Sequence, residues 1–339
     1  MSTFFEKYYL ESTSDTTDRK ADIEAKLNEY GTCLLGTGVF YVSGVKMPDN
    51  TTIMGMGTAT KVILLPEVEE GAAIQIGSFC SVKDIFVRGG EDEIELGDGV
   101  GTRHGLLFLG TDTPKTHKEV SHLQPRHSMV SGCELAAFTG GGITCTDTGY
   151  SVRCSLTVVN CHVFNCGAGI NITHFSEFHE FTNVLCAGNN YGCVNNGGNN
   201  VFVNCGFNGN RTGFLIDNSL GQSPNNSHGS VIGSTINHSG KNEGIGIHIL
   251  GATSGYVFSG CQLFFSKIVI ENSTGIQINS TNFGKNAEIS VKGGALVMFN
   301  GAAFTTRPKI TVEDNDLVKF VNCYTRAGTV IDVPKPVEE

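Results

Sequence analysis

Val158-Val159-Asn160-Cys161-His162-Val163 decides the fold, because the chain keeps returning to this pattern. Phe202-Val203-Asn204-Cys205-Gly206-Phe207 repeats it, and so do Val130-Ser131-Gly132-Cys133-Glu134-Leu135, Phe258-Ser259-Gly260-Cys261-Gln262-Leu263 and Phe320-Val321-Asn322-Cys323-Tyr324. Weaker copies stand at Phe181-Thr182-Asn183-Val184, Val231-Ile232-Gly233-Ser234, Ile278-Asn279-Ser280-Thr281 and Phe299-Asn300-Gly301. With the residue after the Asn or Gly as the mark, the series runs 133, 161, 184, 205, 234, 261, 281, 301 and 323. A period of ~20–30 residues with one short strand motif per unit is the signature of a solenoid. A second mark keeps phase with the first: a small residue, then apolar-X-apolar, as in Gly142-Ile143-Thr144-Cys145, Gly169-Ile170-Asn171-Ile172, Gly213-Phe214-Leu215-Ile216 and Gly246-Ile247-His248-Ile249. Two alternating strands and two turns per ~22 residues describe one coil of a parallel β-helix. The nearest rival, a leucine-rich repeat, would need a Leu ladder that the chain lacks.

The 339 residues suggest about two domains by length alone. The unbroken repeat overrides that prior and implies one β-helix domain over 1–339. Gly at 44 positions and the absence of Trp suit many short strands joined by tight turns. A formal charge of −10 argues against a nucleic-acid backbone or an anionic membrane as partner. Five of the 12 Cys (133, 161, 205, 261 and 323) share one repeat position, which Ser or Thr takes in other coils. They therefore read as small apolar side chains stacked inside the solenoid, not as disulfides. No spacing suits zinc, and neither a metal nor a cofactor is expected. The N-terminal residues lack the apolar run of a signal peptide, and no apolar stretch is long enough to span a membrane. The expectation is synthesis in the cytoplasm, with release or assembly into a particle.

Asp18 to Gly31 reads as a helix with Asp18 as N-cap, Ile23, Leu27 and Tyr30 buried, and Gly31 as the stop. A solenoid needs such a cap, because its open end exposes core side chains and strand edges. Residues 1–18 are polar and expected to be poorly tied down. Asp15-Thr16-Thr17, the helix, Gly38-Val39-Phe40-Tyr41-Val42 and Met47-Pro48-Asp49-Asn50-Thr51-Thr52-Ile53-Met54-Gly55-Met56-Gly57 together resemble the opening of the pectate-lyase-like right-handed β-helix superfamily. That superfamily holds polysaccharide lyases, glycoside hydrolases and phage tailspikes. The resemblance implies an all-β, single-stranded right-handed parallel β-helix with an N-terminal capping helix. It also implies a polysaccharide partner, a phage-particle setting and a homotrimer. Residues 111–127 read as a lateral loop and 333–339 as a charged, Pro-containing tail.

Equivalent residues on successive coils lie ~4.8 Å apart, so the alignment predicts side-chain neighbours. At the outward position ending the second strand the ladder reads Thr146, Thr173, Asn196, Asp217, Leu250, Glu271, Lys292, Glu313. The next position brings Asp147 beside His174, with Glu177, His179 and Glu180 just after; an acid beside a His can supply a general base and its orienting partner. The plainer reading is a solvated turn with Phe175, Phe178 and Phe181 packed down. Asp217 and Glu271 stand two coils apart, about 9.6 Å between backbones, a separation that suits an inverting glycosidase. Outward acids are also ordinary on a solenoid. His127, Arg126 and Arg103, in or beside the 104–127 region, are candidate contacts for an acidic sugar. Exposed aromatics are scarce outside Phe175–Phe181, Tyr150, Tyr191, Phe264-Phe265 and Tyr324, which leaves no obvious platform for sugar stacking. The NTD, DD and GHG series of polygalacturonases and the RxPxxR of pectate lyases are absent. The leading reading is a polysaccharide-binding protein that cleaves by hydrolysis or β-elimination in a lateral groove. The alternative is a non-catalytic phage tail or adhesion module that binds a surface glycan.

Overall fold

Alternation of apolar and polar residues sends every second side chain inward, and the coils stack so that each inward residue meets its equivalent. A computed structural model describes residues 6–92, 94–109, 126–146, 154–173, 176–218, 228–238, 244–265, 267–293, 296–313 and 318–333. Three parallel sheets run along the solenoid. In the first, the inward ladder is Cys33, Ile53, Val82, Val130, Val158, Phe181, Phe202, Val231, Phe258, Ile278, Phe299, Phe320. In the second it passes from Phe40 through Val62, Val87, Leu135, Val163, Cys186 and Phe207 to Phe304. In the third it passes from Val45 through Ile74, Leu106, Ile143, Ile170, Cys193 and Phe214 to Ile310.

Each coil thus holds three strands where the sequence suggested two. The motif first read as one strand is two, because the residue before the mark turns the chain. That residue has positive φ coil after coil: Asp84, Gly132, Asn160, Asn183, Asn204, Gly233, Gly260, Ser280, Gly301 and Asn322 all lie between +48° and +65°. Only Gly, and Asn or Asp among the rest, take this conformation cheaply, which explains the Asn/Gly alternation. The Asn side chains stack as well: Asn183 Nδ2 donates to Asn160 Oδ1 at 2.7 Å. Since Gly301 itself occupies the corner, the mark of that coil is Ala302 rather than residue 301.

The mark residues point inward. Cys133, Cys161, Cys205, Cys261 and Cys323 are buried, and all the cysteines whose side chains are described are free. Burial pushes the Cys205 thiol up to about 11 and that of Cys166 to about 12, so these thiols stay protonated and inert. Aromatic rungs stack face to face, as in Phe181–Phe202 (5.0 Å) and Phe299–Phe320 (4.6 Å). Each pair adds roughly 0.5–1.5 kcal/mol beyond its burial.

The helix α1 (Lys20–Tyr30) buries Ile23 and Leu27 over the first coil and stops at Gly31, whose φ is 70°. Its N-cap position is Arg19 rather than Asp18, although Asp18 Oδ1 still accepts the Lys20 N–H at 2.9 Å. Tyr30 is only half-buried and packs edge-on against Tyr8. Tyr9–Leu10 adds a parallel strand to Thr32–Leu35, so this part of the N-terminal segment is tied down after all. At the other end, Ile331 N–H donates to Cys323 O and Ile331 is buried on the last coil. Residues 334–339 of the expected tail lie outside the described residues.

The corner sets a first prediction. Asn160→Gly keeps the left-handed turn and shifts the melting temperature little. Asn160→Val puts a β-branched residue at a φ of 55° and costs about 1–2 kcal/mol, seen as a clearly lower melting temperature.

Candidate functional site

The outward residues of the third sheet form the floor of a lateral groove. Leu107, Thr144, Asn171, Val194, Leu215 and His248 stand in register on successive coils, about 24 Å from end to end. The adjoining ladder matches the one read from the sequence. Asp217 pairs with Leu250, Leu250 with Glu271 and Glu271 with Lys292. The Thr173, Asn196 and Glu313 N–H groups bond to the preceding coil's Cys145, Ile172 and Val291 carbonyls, which extends the ladder both ways.

A strap over residues 89–92 and 94–102 forms one wall. Gly89 N–H donates to Ala136 O and Gly101 N–H to Thr139 O. Farther along, Asn190 Nδ2 donates to the Gly97 and Gly99 carbonyls, and Asp98 bonds Arg211 at 2.7 Å. The strap therefore runs along the solenoid axis across several coils. It leaves the second sheet so close to the next coil that a Cβ on Gly89 would meet Ala137 O at 1.9 Å, so only Gly fits there.

Two cavities lie along this floor. One, of about 500 Å³, is lined by Thr102, His104, Thr144, Thr146, Asn171 and Thr173. His104 Nδ1 accepts hydrogen bonds from Gly141 N–H and Thr144 Oγ1, both at 2.9 Å, which leaves Nε2 as the protonated nitrogen. Burial holds the His104 pKa below its ordinary value. The other cavity, of about 410 Å³, is lined by Asp98, Tyr191, Arg211, Asp217, His248 and Leu250. Glu271 lies behind His248: its Oε2 is 3.4 Å from His248 Nε2, and its Oε1 is 2.6 Å from Lys292 Nζ. Lys292, and to a lesser degree His248, hold the Glu271 carboxyl below the usual carboxylate range.

The candidates read from the sequence separate accordingly. Asp217 lines the groove, and Glu271 stands in register two coils away. An ionised Glu271 fits the orientation of His248 and not the delivery of a proton. Asp147, His174 and the side chain of Arg126 lie outside the described residues, as do residues 111–125 of the expected lateral loop. Glu177 sits at the turn between the third and first sheets and accepts a hydrogen bond from Asn199 Nδ2 at 3.3 Å. His127 lies on the outer face of the first sheet, edge-on to Phe79 and bonded to Ser155 Oγ, away from the groove floor.

Two substrate contacts expected from the sequence are structural. Arg103 Nη2 donates to the Leu65 and Gly89 carbonyls at 3.3 and 2.8 Å, which ties the side chain to the root of the strap, while its buried Nε has no hydrogen-bond partner among the described residues. His179 is 1% exposed; its Nδ1 accepts Leu156 N–H at 3.0 Å and its Nε2 faces Ser176 Oγ at 2.7 Å. It belongs to a buried polar chain that continues through Asn200 and Asn195 to the Tyr256 hydroxyl. The sequence reading missed His248 and Arg211; it held His104 only within the 104–127 region and Tyr191 only among the exposed aromatics. Of these, His248 had a usable signal, since it is the outward residue of a strand already aligned with its neighbours.

No protein-family model matches the sequence, and no curated protein matches it. Among solved structures, the chain is similar to the full-length tailspike protein 2 of Escherichia coli O157:H7 bacteriophage CAB120. The TM-score is 0.59 at 17% identity, over 92% of this chain and 40% of that one. It is also similar to the tailspike protein of E. coli bacteriophage HK620 in complex with a pentasaccharide. There the TM-score is 0.63 at 10% identity, over 91% of this chain and 63% of that one. The chain has the right-handed parallel β-helix fold of phage tailspikes. It spans 40% and 63% of these two neighbours' lengths, and at such identities the likeness is one of fold.

The buried His179 gives a pH prediction. Burial holds its pKa down at about 3, against an ordinary value of 6.5. The unfolded chain therefore binds a proton that the folded chain refuses. This site contributes full stability above about pH 6.5 and loses about 1.4 kcal/mol per pH unit as the pH falls towards about 3. His179→Asn should be less stable at neutral pH. Denaturation measured across that range should show its acid slope reduced by one proton relative to the parent.

Proposed function

We propose that the chain binds a polysaccharide in the third-sheet groove and cleaves it by hydrolysis. The observation that carries this reading is the cavity lined by both Asp217 and His248, with Glu271 held behind His248 by Lys292. In this reading an imidazole oriented by a carboxylate gives its proton to the glycosidic oxygen as the bond to the anomeric carbon breaks, and regains one from the water that replaces the leaving group. Asp217, on the same cavity wall, activates water or stabilises positive charge at the anomeric carbon. Strap, floor and cavities supply the hydroxyl and amide groups that a sugar chain needs, with Thr102, Thr144, Asn171 and Tyr191 among them. β-Elimination is the weaker chemistry here. It needs cations to neutralise a uronate, but Arg211 is engaged by Asp98 and Arg103 by backbone carbonyls.

The second reading is a non-catalytic module that only binds a surface glycan. Its specific support is Glu271, which Lys292 keeps ionised and so unable to act as the acid of a carboxylate pair. The pentasaccharide-bound tailspike supports glycan binding under either reading and makes a phage particle the natural setting. A homotrimer, which the resemblance implies, is to be read from the mass in solution. A net charge of −10 still argues against nucleic acid, and no helix among the described residues is long and apolar enough to cross a membrane.

The test is the release of reducing ends from a panel of neutral and acidic polysaccharides, run beside the ultraviolet absorbance of unsaturated uronates. Hydrolysis predicts reducing ends without absorbance, lowered at least about 100-fold in Asp217→Asn and in His248→Ala, the usual size of an acid–base contribution. An absorbance rise would make the enzyme a lyase. Silence across the panel with glycan binding retained would sink cleavage in favour of the binding module.

A further inference from the structure

The outer face of the second sheet carries a cluster that the groove does not use. Phe86, Glu134 and His162 stand in register on three successive coils, and Arg88, Ala136 and Phe164 form the parallel row beside them. Their neighbours Val87, Leu135 and Val163 are fully buried, so the alternation turns this set outward. The Phe86 and Phe164 rings lie 6.1 Å apart, and His162 lies 4.9 Å from Phe164 at a tilt of 37°. Three rings thus make one half-buried plateau across adjacent coils, and the Arg88 guanidinium lies over the Phe86 ring at 5.7 Å.

The plateau adjoins a cavity. The same row of outward residues continues from Arg88 to Ile63 and Tyr41. These two residues line a pocket of about 490 Å³ whose lining also includes Glu67, Glu91 and Asp92. Arg88 stands between pocket and plateau. Its Nη2 reaches only the Asp92 carbonyl, at 3.4 Å, and its buried Nε has no hydrogen-bond partner among the described residues.

We propose that this face is a second saccharide site, separate from the third-sheet groove. It takes the C–H face of a neutral hexopyranose on Phe164 and His162, beside the Arg88-covered Phe86, and the sugar hydroxyls on Arg88, Asp92 and Glu91, whose carboxylate also accepts the Tyr41 hydroxyl. Rings that present a flat apolar area beside hydrogen-bonding groups match the two faces of a pyranose. The charge selects a neutral sugar: Glu67, Glu91, Asp92 and Glu134 outnumber Arg88 and the neighbouring Lys61, so an anionic chain would be repelled. The site would hold a long glycan beside the groove and does not depend on cleavage there.

Calorimetric titration with maltohexaose, cellohexaose, chitohexaose and hexagalacturonate tests this on the full chain and three variants. Phe164→Ala removes the middle of the plateau, Phe164→Tyr keeps the ring, and Leu215→Glu fouls the third-sheet groove. At least one neutral hexasaccharide should bind in a step that Phe164→Ala weakens about tenfold or more, with Phe164→Tyr and Leu215→Glu leaving it intact. Neutral binding that survives Phe164→Ala, binding of hexagalacturonate alone, or no binding by any probe would overturn the proposal. So would self-association that Phe164→Ala abolishes in the absence of sugar binding. A step lost only in Leu215→Glu reports on the groove, so the two sites fail separately.

Discussion

Each coil turns at one residue held in the left-handed conformation, and the stacking of those corners fixes everything outside them. Asn160, Asn183 and Asn204 supply it on three successive coils, Gly233 and Gly260 on the next two. Because the corners superimpose, the residue after each one points inward and stacks as the ladder of Cys133, Cys161, Val184, Cys205, Ser234 and Cys261. A slip of one residue in any coil would send its apolar set to solvent and its polar set into the core. That penalty, repeated at every coil, enforces the register, and the register decides which outward side chains become neighbours.

The groove is a product of that register. Asp217, Leu250, Glu271 and Lys292 are far apart in sequence yet adjacent in space because their strands pair residue for residue. The ion pair between Lys292 and Glu271 spans neighbouring coils and places a charged carboxylate next to His248. Partial burial makes such a pair matter more for aligning the imidazole than for stability, since exposed ion pairs are worth about 0–1 kcal/mol. The strap completes the site: it crosses the coils instead of joining them, and Asn190 and Arg211 hold it at its far end.

This arrangement explains what could be read from the sequence. Strand alternation and the repeat of Asn-Cys and Gly-Cys are local signals, so the solenoid, the inward thiols and the outward ladder from Thr146 to Glu313 were legible. The third strand of each coil was hidden because the corner is a single residue, and Val158–Val163 looks continuous until Asn160 is known to have positive φ. His179 was misread because a turn rich in polar residues looks solvated, whereas Ser176, Asn200 and the Leu156 N–H supply its partners inside the coil. Arg103 was misread for a related reason: nothing in its neighbourhood announces that two carbonyls, one of them 38 residues back, will claim its guanidinium. The strap left no pattern at all, since Gly97, Asp98 and Gly99 find partners 91 to 113 residues away. The aromatic plateau was missed because Phe86 and Phe164 belong to coils separated by a long insertion, which hid their adjacency until the register was known.

A crystal structure of the chain soaked with a neutral oligosaccharide would be the most direct measurement. Sugar density lying along the floor from Thr144 and Asn171 to Leu215, with one ring over Asp217 and His248, is the result that the groove predicts. Density confined to other faces, with the strap and this floor left bare at saturating sugar, would contradict it.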